Sequence, residues 1–253
     1  MILDGFRLEG KNALVTGSHR GLGAAMAIAL AEAGANVMCH GLSADGSQTC
    51  KKISQLGRKT GYVSADLSQT DAAAKLFLST IEKLGSLEIL INNAGVIRRA
   101  PAVEHSQDFW DEVIGVNLDA VFRLSQLAGQ HMLERGGGKI VNVASLLSFQ
   151  GGVFVPGYAA AKGAVAQLTK ALANEWAARG INVNAIAPGY METDNTTALR
   201  QDPVRSRQIL DRIPAGRWGR PCDVAGAAVF LSSPASDYVH GHVLLVDGGW
   251  MAR

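Results

Sequence analysis

The sequence predicts a single-domain α/β protein with a doubly wound, Rossmann-type parallel sheet of about seven strands flanked by helices. Short apolar runs alternate with longer helical patterns along the whole chain. Several runs are continuously apolar, such as Ala13-Leu14-Val15 and Ile89-Leu90-Ile91, which is typical of strands buried on both faces. No linker, internal repeat or shift in composition marks a boundary, so residues 1–253 are expected to form one domain.

The same alternation gives the expected order of elements. We expect strands at 12–16, 36–40, 60–65, 87–91, 139–144, 182–187 and 243–246. We expect helices at 21–33, 46–56, 69–84, 106–135, 158–179 and 222–232. The helices at 106–135 and 158–179 are long and rich in apolar residues, so they either pack against another subunit or form a thick layer on the sheet.

Composition narrows the classes of function. The 253 residues carry a formal net charge of +2 without a run of Lys and Arg, so neither a nucleic acid nor a membrane is an expected partner. Cys39, Cys50 and Cys222 are scattered and form no CxxC pair, which argues against a disulfide framework and against a metal site. The N-terminus lacks the pattern of a signal peptide and no apolar run is long enough to cross a bilayer, so we expect a soluble, cytoplasmic protein.

A glycine-rich loop follows the first expected strand and precedes a helix. It reads Thr16-Gly17-Ser18-His19-Arg20-Gly21-Leu22-Gly23. Glycines allow a tight turn and a close approach of pyrophosphate, and the helix N-terminus offers free N–H groups. This context favours dinucleotide binding over a purely structural turn. The expected cofactor contacts are Gly17, Ser18, Arg20, Gly21, Leu22 and Gly23.

Two further strand ends extend the predicted cofactor site. Asp66, followed by Leu67, ends the third strand, where its carboxylate suits an adenine amino group; it would serve equally as a helix N-cap. Asn93, Ala94 and Gly95 follow the fourth strand, where small residues let the backbone lie against a nucleotide; a simple turn is the alternative.

The sequence leaves open whether the cofactor is NAD or NADP. An acidic residue at the end of the second strand would bind the ribose 2′-hydroxyl, but that strand ends Cys39-His40-Gly41-Leu42. Leu42 is not an arginine that would bind a 2′-phosphate, although Arg20 in the glycine loop is placed to do so.

Tyr158 and Lys162 are the expected acid/base pair. They stand four residues apart at the start of a helix, so both side chains lie on one face. A free phenol has a pKa near 10, and lowering it by about three units takes roughly 4 kcal/mol of electrostatic stabilisation. Ser145, at the end of the fifth strand, is placed to donate to the substrate oxygen, and Asn117 is placed to hold a relay water. Each residue has an ordinary structural explanation when taken alone.

Together these motifs resemble the short-chain dehydrogenase/reductase family over essentially the whole chain. The resemblance rests on Thr16-Gly-x-x-x-Gly-x-Gly23, Asn92-Asn-Ala-Gly95, Asn117, Ser145, Tyr158-x-x-x-Lys162 and Pro188-Gly189. It implies a catalytic set of Ser145, Tyr158, Lys162 and Asn117, in which Tyr158 and Lys162 also contact the cofactor. It further implies that Pro188, Gly189 and Thr193 border the nicotinamide, slightly favours NAD, and implies a homotetramer with the two long helices at its interfaces.

A narrower set of motifs resembles the members of this family that act on 2-deoxy-D-gluconate or 2-dehydro-3-deoxy-D-gluconate. The segments are Asn-Ala-Gly-Val-Ile-Arg98-Arg99, Leu147-Ser-Phe-Gln-Gly-Gly152, Pro188-Gly-Tyr-Met191, Ile213-Pro-Ala-Gly-Arg-Trp-Gly219 and Val246-Asp-Gly-Gly-Trp-Met-Ala-Arg253. Such a substrate carries a carboxylate, which Arg98 or Arg99 would bind in a bidentate pair unless both are merely solvent-exposed. Gln150 and Tyr190 are further candidate substrate contacts, and residues 193–217 form the expected substrate lid.

The expected function is therefore an NAD(P)-dependent oxidoreductase that transfers a hydride between nicotinamide and a keto or hydroxyl group of a sugar acid. In reduction, Tyr158 donates the proton, Ser145 holds the carbonyl oxygen and Lys162 orients the ribose. One alternative is a 3-oxoacyl-thioester reductase or another substrate on the same scaffold. A second is a dinucleotide-sensing protein without turnover, which the intact catalytic set disfavours.

Overall fold

The computed structural model describes residues 1–43 and 46–253. Seven strands form one sheet: β1 (Asn12–Val15), β2 (Asn36–Gly41), β3 (Thr60–Ser64), β4 (Ile89–Asn92), β5 (Gly138–Val143), β6 (Ile181–Pro188) and β7 (Val243–Val246). All neighbouring strands are parallel, in the order β3-β2-β1-β4-β5-β6-β7. The predicted doubly wound, Rossmann-type fold is confirmed, and each expected strand overlaps an observed one.

Helices cover both faces of the sheet. They are α1 (Gly21–Glu32), α2 (Ser47–Gln55), α3 (Ala72–Leu84), α4 (Gln107–Ile114), α5 (Ala120–Glu134), α6 (Pro156–Trp176), α7 (Thr197–Gln201), α8 (Pro203–Arg212) and α9 (Ala225–Ser232). Among the described residues, no helix is long and apolar enough to cross a membrane.

Alternating strand residues enter two hydrophobic cores, one on each face of the sheet. Ala13 and Val15 of β1 pack with buried residues of α1, α2 and α9. Leu14, between them, packs with buried residues of α3, α5 and α6. Successive side chains of a strand point to opposite faces, so a continuously apolar run fills both cores. This explains why these strands read as unbroken apolar runs in the sequence.

The strand order reverses between β1 and β4, because β1 leads to β2 on one side and β4 leads to β5 on the other. At such a point the connections leave in opposite directions and open a crevice at the carboxyl ends of the strands. The fold therefore predicts the binding site at the ends of β1 and β4.

The prediction of one continuous helix over 106–135 was wrong in one respect. A π-helical turn over Gly115–Asp119 separates α4 from α5. Asn117, in this turn, is fully buried, and both ends of its amide bind the main chain of Val96. Single π-helical turns inside helices occur frequently at functional sites. The periodicity of apolar residues does not reveal this turn, because it depends on a partner segment distant in sequence.

Candidate active site

A cleft of about 280 Å³ opens at the carboxyl ends of β1 and β4, where the strand order reverses. The glycine loop forms one wall, the ends of β2 and β3 form the adenosine end, and Tyr158 and Lys162 line the opposite end. Of the predicted cofactor and catalytic residues, the cleft is lined by Gly17, Arg20, Gly21, Leu22, Gly23, Asp66, Leu67, Asn93, Ala94, Gly95, Tyr158, Lys162 and Thr193.

The glycine loop fits a dinucleotide. Gly17 has φ +62°, in the left-handed region that side chains disfavour. A Cβ at Gly23 would lie 2.2 Å from the carbonyl oxygen of Gly17, so only glycine allows the loop to close on the first turn of α1. The free N–H groups at the start of α1 face the cleft wall, as pyrophosphate binding requires.

Ser18 is the residue of this loop that the structure does not bring to the cleft. Its side chain is fully buried and its hydroxyl donates to the carbonyl of Val15 at 2.7 Å. Its main-chain N–H donates to the carbonyl of His40. Ser18 supports the loop from within, so the structure gives no support to its predicted contact with the cofactor.

At the ends of β3 and β4, the structure shows both a position on the cleft and a structural role, which the sequence had raised as alternatives. Asp66 lines the cleft, and its carboxylate also accepts from the N–H of Ser68 at 3.0 Å, which lowers the pKa of Asp66. Asn93 donates through its amide to the carbonyls of Thr16 and Gly17, at 2.8 and 3.1 Å. Its side chain therefore braces the glycine loop while Ala94 and Gly95 follow along the cleft.

Tyr158 lines the cleft, and Ser145 lies close to its hydroxyl. Tyr158 lies in the first turn of α6, which begins at Pro156, and Ser145 directly follows β5. The Ser145 side chain is close enough to the Tyr158 hydroxyl to lower the pKa of Tyr158. Burial raises the pKa of Tyr158, and the hydrogen bond to Ser145 and the charge of Arg99 oppose that rise. The phenol is therefore protonated in this state and ready to act as an acid.

Lys162 lies one turn further along α6 and is 3% exposed. Its Nζ lies 5.7 Å from the centre of the Tyr158 ring and donates to the carbonyl of Val143 at 2.6 Å. Burial lowers the pKa of Lys162 to about 8. The ammonium is thus held beside the phenol in a site where its charge is costly.

Asn117 lies next to this site, and its side-chain amide is bound to the main chain of Val96. Its Oδ1 accepts from the N–H of Val96 and its Nδ2 donates to the carbonyl of Val96, both at 2.8 Å. The amide therefore fixes the wall segment after Gly95. The relay water predicted at Asn117 stays a prediction.

The structure separates the two candidate arginines. The guanidinium of Arg98 makes a two-pronged ion pair with Glu112, with Nε 2.6 Å from Oε2, and lies over the Phe109 ring. Arg99 is exposed, donates to the carbonyl of Asn195 at 3.1 Å, and its charge acts on Tyr158. Of the two arginines, Arg99 is the one whose charge lowers the pKa of Tyr158.

The remaining predicted contacts are Pro188, Gly189 and Tyr190, at and just after the end of β6, and Gln150, which lies between β5 and α6. Pro188 ends β6, and Gly189 and Tyr190 line a second cavity of about 170 Å³. Tyr190 packs against Trp250, with ring centres 4.7 Å apart, and Gln150 accepts from the Trp250 indole N–H at 3.4 Å. The structure therefore joins Gln150 and Tyr190 through Trp250, rather than placing them on the cofactor cleft.

Several residues that line the cleft were not predicted. His19 and His40 lie at its adenosine end, and Asp194 and Asn195 lie at its mouth. His19 stands inside the glycine-rich motif, and that position was the only signal for it. Asp194 and Asn195 fall within the expected lid but were not singled out, and His40 reaches the cleft from β2 through tertiary contacts that sequence spacing does not show.

A dinucleotide cleft with a tyrosine, a lysine and a serine at one end defines a nicotinamide-dependent oxidoreductase. A family model described as enoyl-(acyl carrier protein) reductase matches residues 17–251. A 2-dehydro-3-deoxy-D-gluconate 5-dehydrogenase of Pseudoalteromonas atlantica is 54% identical over 100% of both chains. The chain belongs to the short-chain dehydrogenase/reductase family, as its motifs predicted.

Solved structures agree with this assignment. A protein of Agrobacterium tumefaciens, assigned as a 2-deoxy-D-gluconate 3-dehydrogenase and holding NADP, is 55% identical with a TM-score of 0.92, over 98% of this chain and 99% of its own. A gluconate 5-dehydrogenase of Burkholderia cenocepacia in complex with NADP and tartrate is 40% identical with a TM-score of 0.95, over 100% of both chains. The expectation of NAD or NADP as cofactor is confirmed, and the slight preference for NAD stays a prediction.

Proposed function

We propose that this enzyme interconverts a keto and a hydroxyl group of a sugar acid of the 2-dehydro-3-deoxy-D-gluconate or 2-deoxy-D-gluconate type. The observation that carries the proposal is the position of Arg99, an exposed cation that acts on Tyr158 at the end of the cleft. An anionic substrate whose carbonyl lies at Tyr158 would place its carboxylate within reach of this guanidinium. The names of the relatives, which are sugar-acid dehydrogenases matched over their full length, support the same substrate class.

Tyr158 and Ser145 carry the acid/base chemistry in this proposal. In reduction, the Tyr158 hydroxyl donates its proton to the substrate oxygen while the Ser145 hydroxyl donates a hydrogen bond to that same oxygen. When bound, the nicotinamide supplies the hydride in reduction and accepts it in oxidation. Burial keeps Tyr158 protonated before the reaction, and Lys162 stabilises the phenolate that remains afterwards.

The glycine loop, Asp66, Leu67 and the segment 93–95 would hold the dinucleotide, with Pro188, Gly189 and Thr193 near the nicotinamide. Among the described residues 36–43, which include the end of β2, none is acidic, and His19 and Arg20 line the adenosine side of the cleft. This arrangement admits the 2′-phosphate of NADP, which an acidic residue there would repel. We therefore expect turnover with NADPH.

The proposal also includes a lid, an oligomeric state and a cellular location. Residues 193–217 would act as a substrate lid, because the segment begins with Thr193, Asp194 and Asn195, which line the cleft, and continues into the short helices α7 and α8. A homotetramer is proposed because the region of the long helices exposes Phe109, Trp110 and Phe122, which are 37%, 38% and 44% exposed. Burial of such side chains against another subunit is favourable. We also propose that residues 1–253 form a single domain and that the protein works in the cytoplasm.

A spectrophotometric panel tests the function directly. NADH and NADPH are each combined with 2-dehydro-3-deoxy-D-gluconate, its isomer derived from unsaturated uronates, and an acetoacetyl thioester. Oxidation of the reduced cofactor with a sugar acid, and slower oxidation with the thioester, is the expected result. Because the matching family model is described as an acyl-carrier reductase, preferential turnover of the thioester is the outcome that would replace this proposal. Absence of turnover with every compound would favour a sensing role.

The two arginines provide a matched pair of variants. Arg99→Ala should raise the KM for the sugar acid roughly ten- to hundredfold, because a charge-assisted hydrogen bond contributes about 1.5–3 kcal/mol. Arg98→Ala should raise KM less and lower stability more, because Arg98 is paired with Glu112. An equal rise of KM in both variants would contradict the assignment of the carboxylate to Arg99.

A further inference from the structure

His40 holds together two walls of the cofactor cleft. It lies in β2 near its carboxyl end and is 3% exposed. Its Nδ1 accepts from the main-chain N–H of Gly17 at 3.1 Å, and its Nε2 lies 3.0 Å from the carbonyl oxygen of Ala65. A carbonyl only accepts, so Nε2 carries the proton and donates. One neutral tautomer thereby satisfies both contacts.

The two partners of this imidazole belong to opposite sides of the adenosine end. Gly17 begins the glycine loop, and Ala65 begins the segment Ala65-Asp66-Leu67 that follows β3. All four of these residues line the cleft. The His40 side chain therefore links the two walls of this end of the cleft.

The main chain of His40 strengthens the connection to the glycine loop. The N–H of Ser18 donates to the carbonyl of His40 at 2.7 Å, and the N–H of His40 donates to the Ser18 hydroxyl at 3.0 Å. These bonds hold residue 40 against the loop whatever its side chain is. The imidazole adds the contact to Gly17 and the only side-chain link from residue 40 to the β3 side.

The environment keeps the imidazole in the form that makes both bonds. Burial is the main cause that lowers the pKa of His40 to about 4, and the nearby His19 acts in the same direction. At neutral pH the ring is uncharged, so the Nδ1 lone pair stays available to Gly17. Without an acceptor, the buried N–H of Gly17 would have to turn toward another partner, and the loop would move with it.

We propose that His40 is a positioning residue for the dinucleotide: Nδ1 of its imidazole fixes the glycine loop through Gly17 and so sets the affinity for the cofactor, and the bond from Nε2 to Ala65 orients the ring. His40 acts on the cofactor mainly through Gly17, because its side chain is 3% exposed and its two ring nitrogens are used in the contacts to Gly17 and Ala65. The proposal depends on cofactor binding alone and is independent of the sugar-acid substrate.

Two conservative variants separate the two bonds. In His40→Asn, the amide oxygen stands as many bonds from the backbone as Nδ1 and accepts from Gly17. In His40→Gln, the amide nitrogen corresponds to Nε2 and donates to Ala65. His40→Leu removes both contacts. The dissociation constants of NADPH and NADH are measured by fluorescence titration, without substrate. Hydrogen–deuterium exchange of the peptide 14–24 is measured in the cofactor-free protein.

We expect the affinity to follow the bond to Gly17. His40→Asn should bind NADPH within about threefold of the wild type, and His40→Gln and His40→Leu should bind about tenfold more weakly. The latter two should also exchange faster over 14–24 than the wild type does.

His131 provides the control for a merely structural histidine. Its Nε2 accepts from the N–H of Leu87 at 3.2 Å, just before β4 and at the opposite end of that strand from the cleft. His131→Leu should lower the melting temperature without changing the dissociation constant of NADPH. Equal affinities for His40→Asn and His40→Gln, or wild-type affinity in His40→Leu, would overturn the proposal. If His40→Leu does not fold, the comparison of His40→Asn with His40→Gln still tests the proposal.

Discussion

The cofactor wall and the lid segment close the same cleft, but different interactions hold them. In the wall, the buried Thr16 hydroxyl accepts from the N–H groups of Asn93 and Ala94, each at 2.9 Å. At the mouth, Asp194 pairs with Arg20 across the cleft, and these side chains are 67% and 63% exposed. Buried hydrogen bonds are costly to leave unmade, whereas exposed ion pairs contribute about 0–1 kcal/mol. The wall is thus held by buried hydrogen bonds, whereas the contact of the proposed lid with Arg20 is a weaker, exposed ion pair.

The largest effect should come from the fixed side of the cleft. Tyr158→Phe removes the proton donor and keeps the buried ring, so kcat should fall roughly 10²- to 10⁴-fold while the dissociation constant of NADPH changes little. Steady-state rates and cofactor titration measure the two quantities. Retention of more than a tenth of wild-type turnover would mean that another group supplies the proton.

A second effect of the fixed side is the dependence of stability on pH. Burial lowers the pKa of Lys162 from 10.5 to about 8. Between these values the unfolded chain binds more protons than the native one, so this group makes stability rise with pH, by about 1 kcal/mol per pH unit. Urea unfolding of the wild type and of Lys162→Met at pH 7.5, 8.5 and 9.5 measures the difference. A difference that does not change with pH would show that Lys162 keeps its ordinary pKa.

The smallest effect should come from the lid. Asp194→Asn removes the ion pair across the mouth, so release of NADPH should accelerate by less than about fivefold. Stopped-flow displacement measures this rate. Because screening by salt weakens exposed pairs, the difference from the wild type should shrink at high salt. Asp211→Asn is the control, since Asp211 pairs with Arg207 within α8. A hundredfold acceleration would show that Asp194 holds the cofactor as firmly as the buried wall does, which would contradict the comparison.

The fold and the catalytic end could be predicted because their signals are local. The short apolar runs Ala13-Leu14-Val15 and Ile89-Leu90-Ile91 became strands, since a strand buried on both faces needs no polar alternation. Tyr158 and Lys162 share a helix, so their spacing alone placed them together. The glycine loop was recognisable from its position between a strand and a helix.

The contacts between distant segments were not predictable in the same way. Arg98 and Arg99 are adjacent and chemically identical, but only the tertiary structure pairs Arg98 with Glu112 and brings the charge of Arg99 near enough to lower the pKa of Tyr158. Asn117 read as a residue of a continuous helix, because its partner Val96 lies outside that helix.

The sequence by itself determined the class of enzyme, since the strand pattern, the glycine loop and the tyrosine–lysine spacing are properties of short segments. Only the tertiary structure decided which side chains meet across the cleft. His40 shows the reason: its role depends on Gly17 and Ala65, which are 23 and 25 residues away and meet it only because β1, β2 and β3 are neighbours in the sheet. Strand order is set by packing of the whole chain, and no short segment contains it.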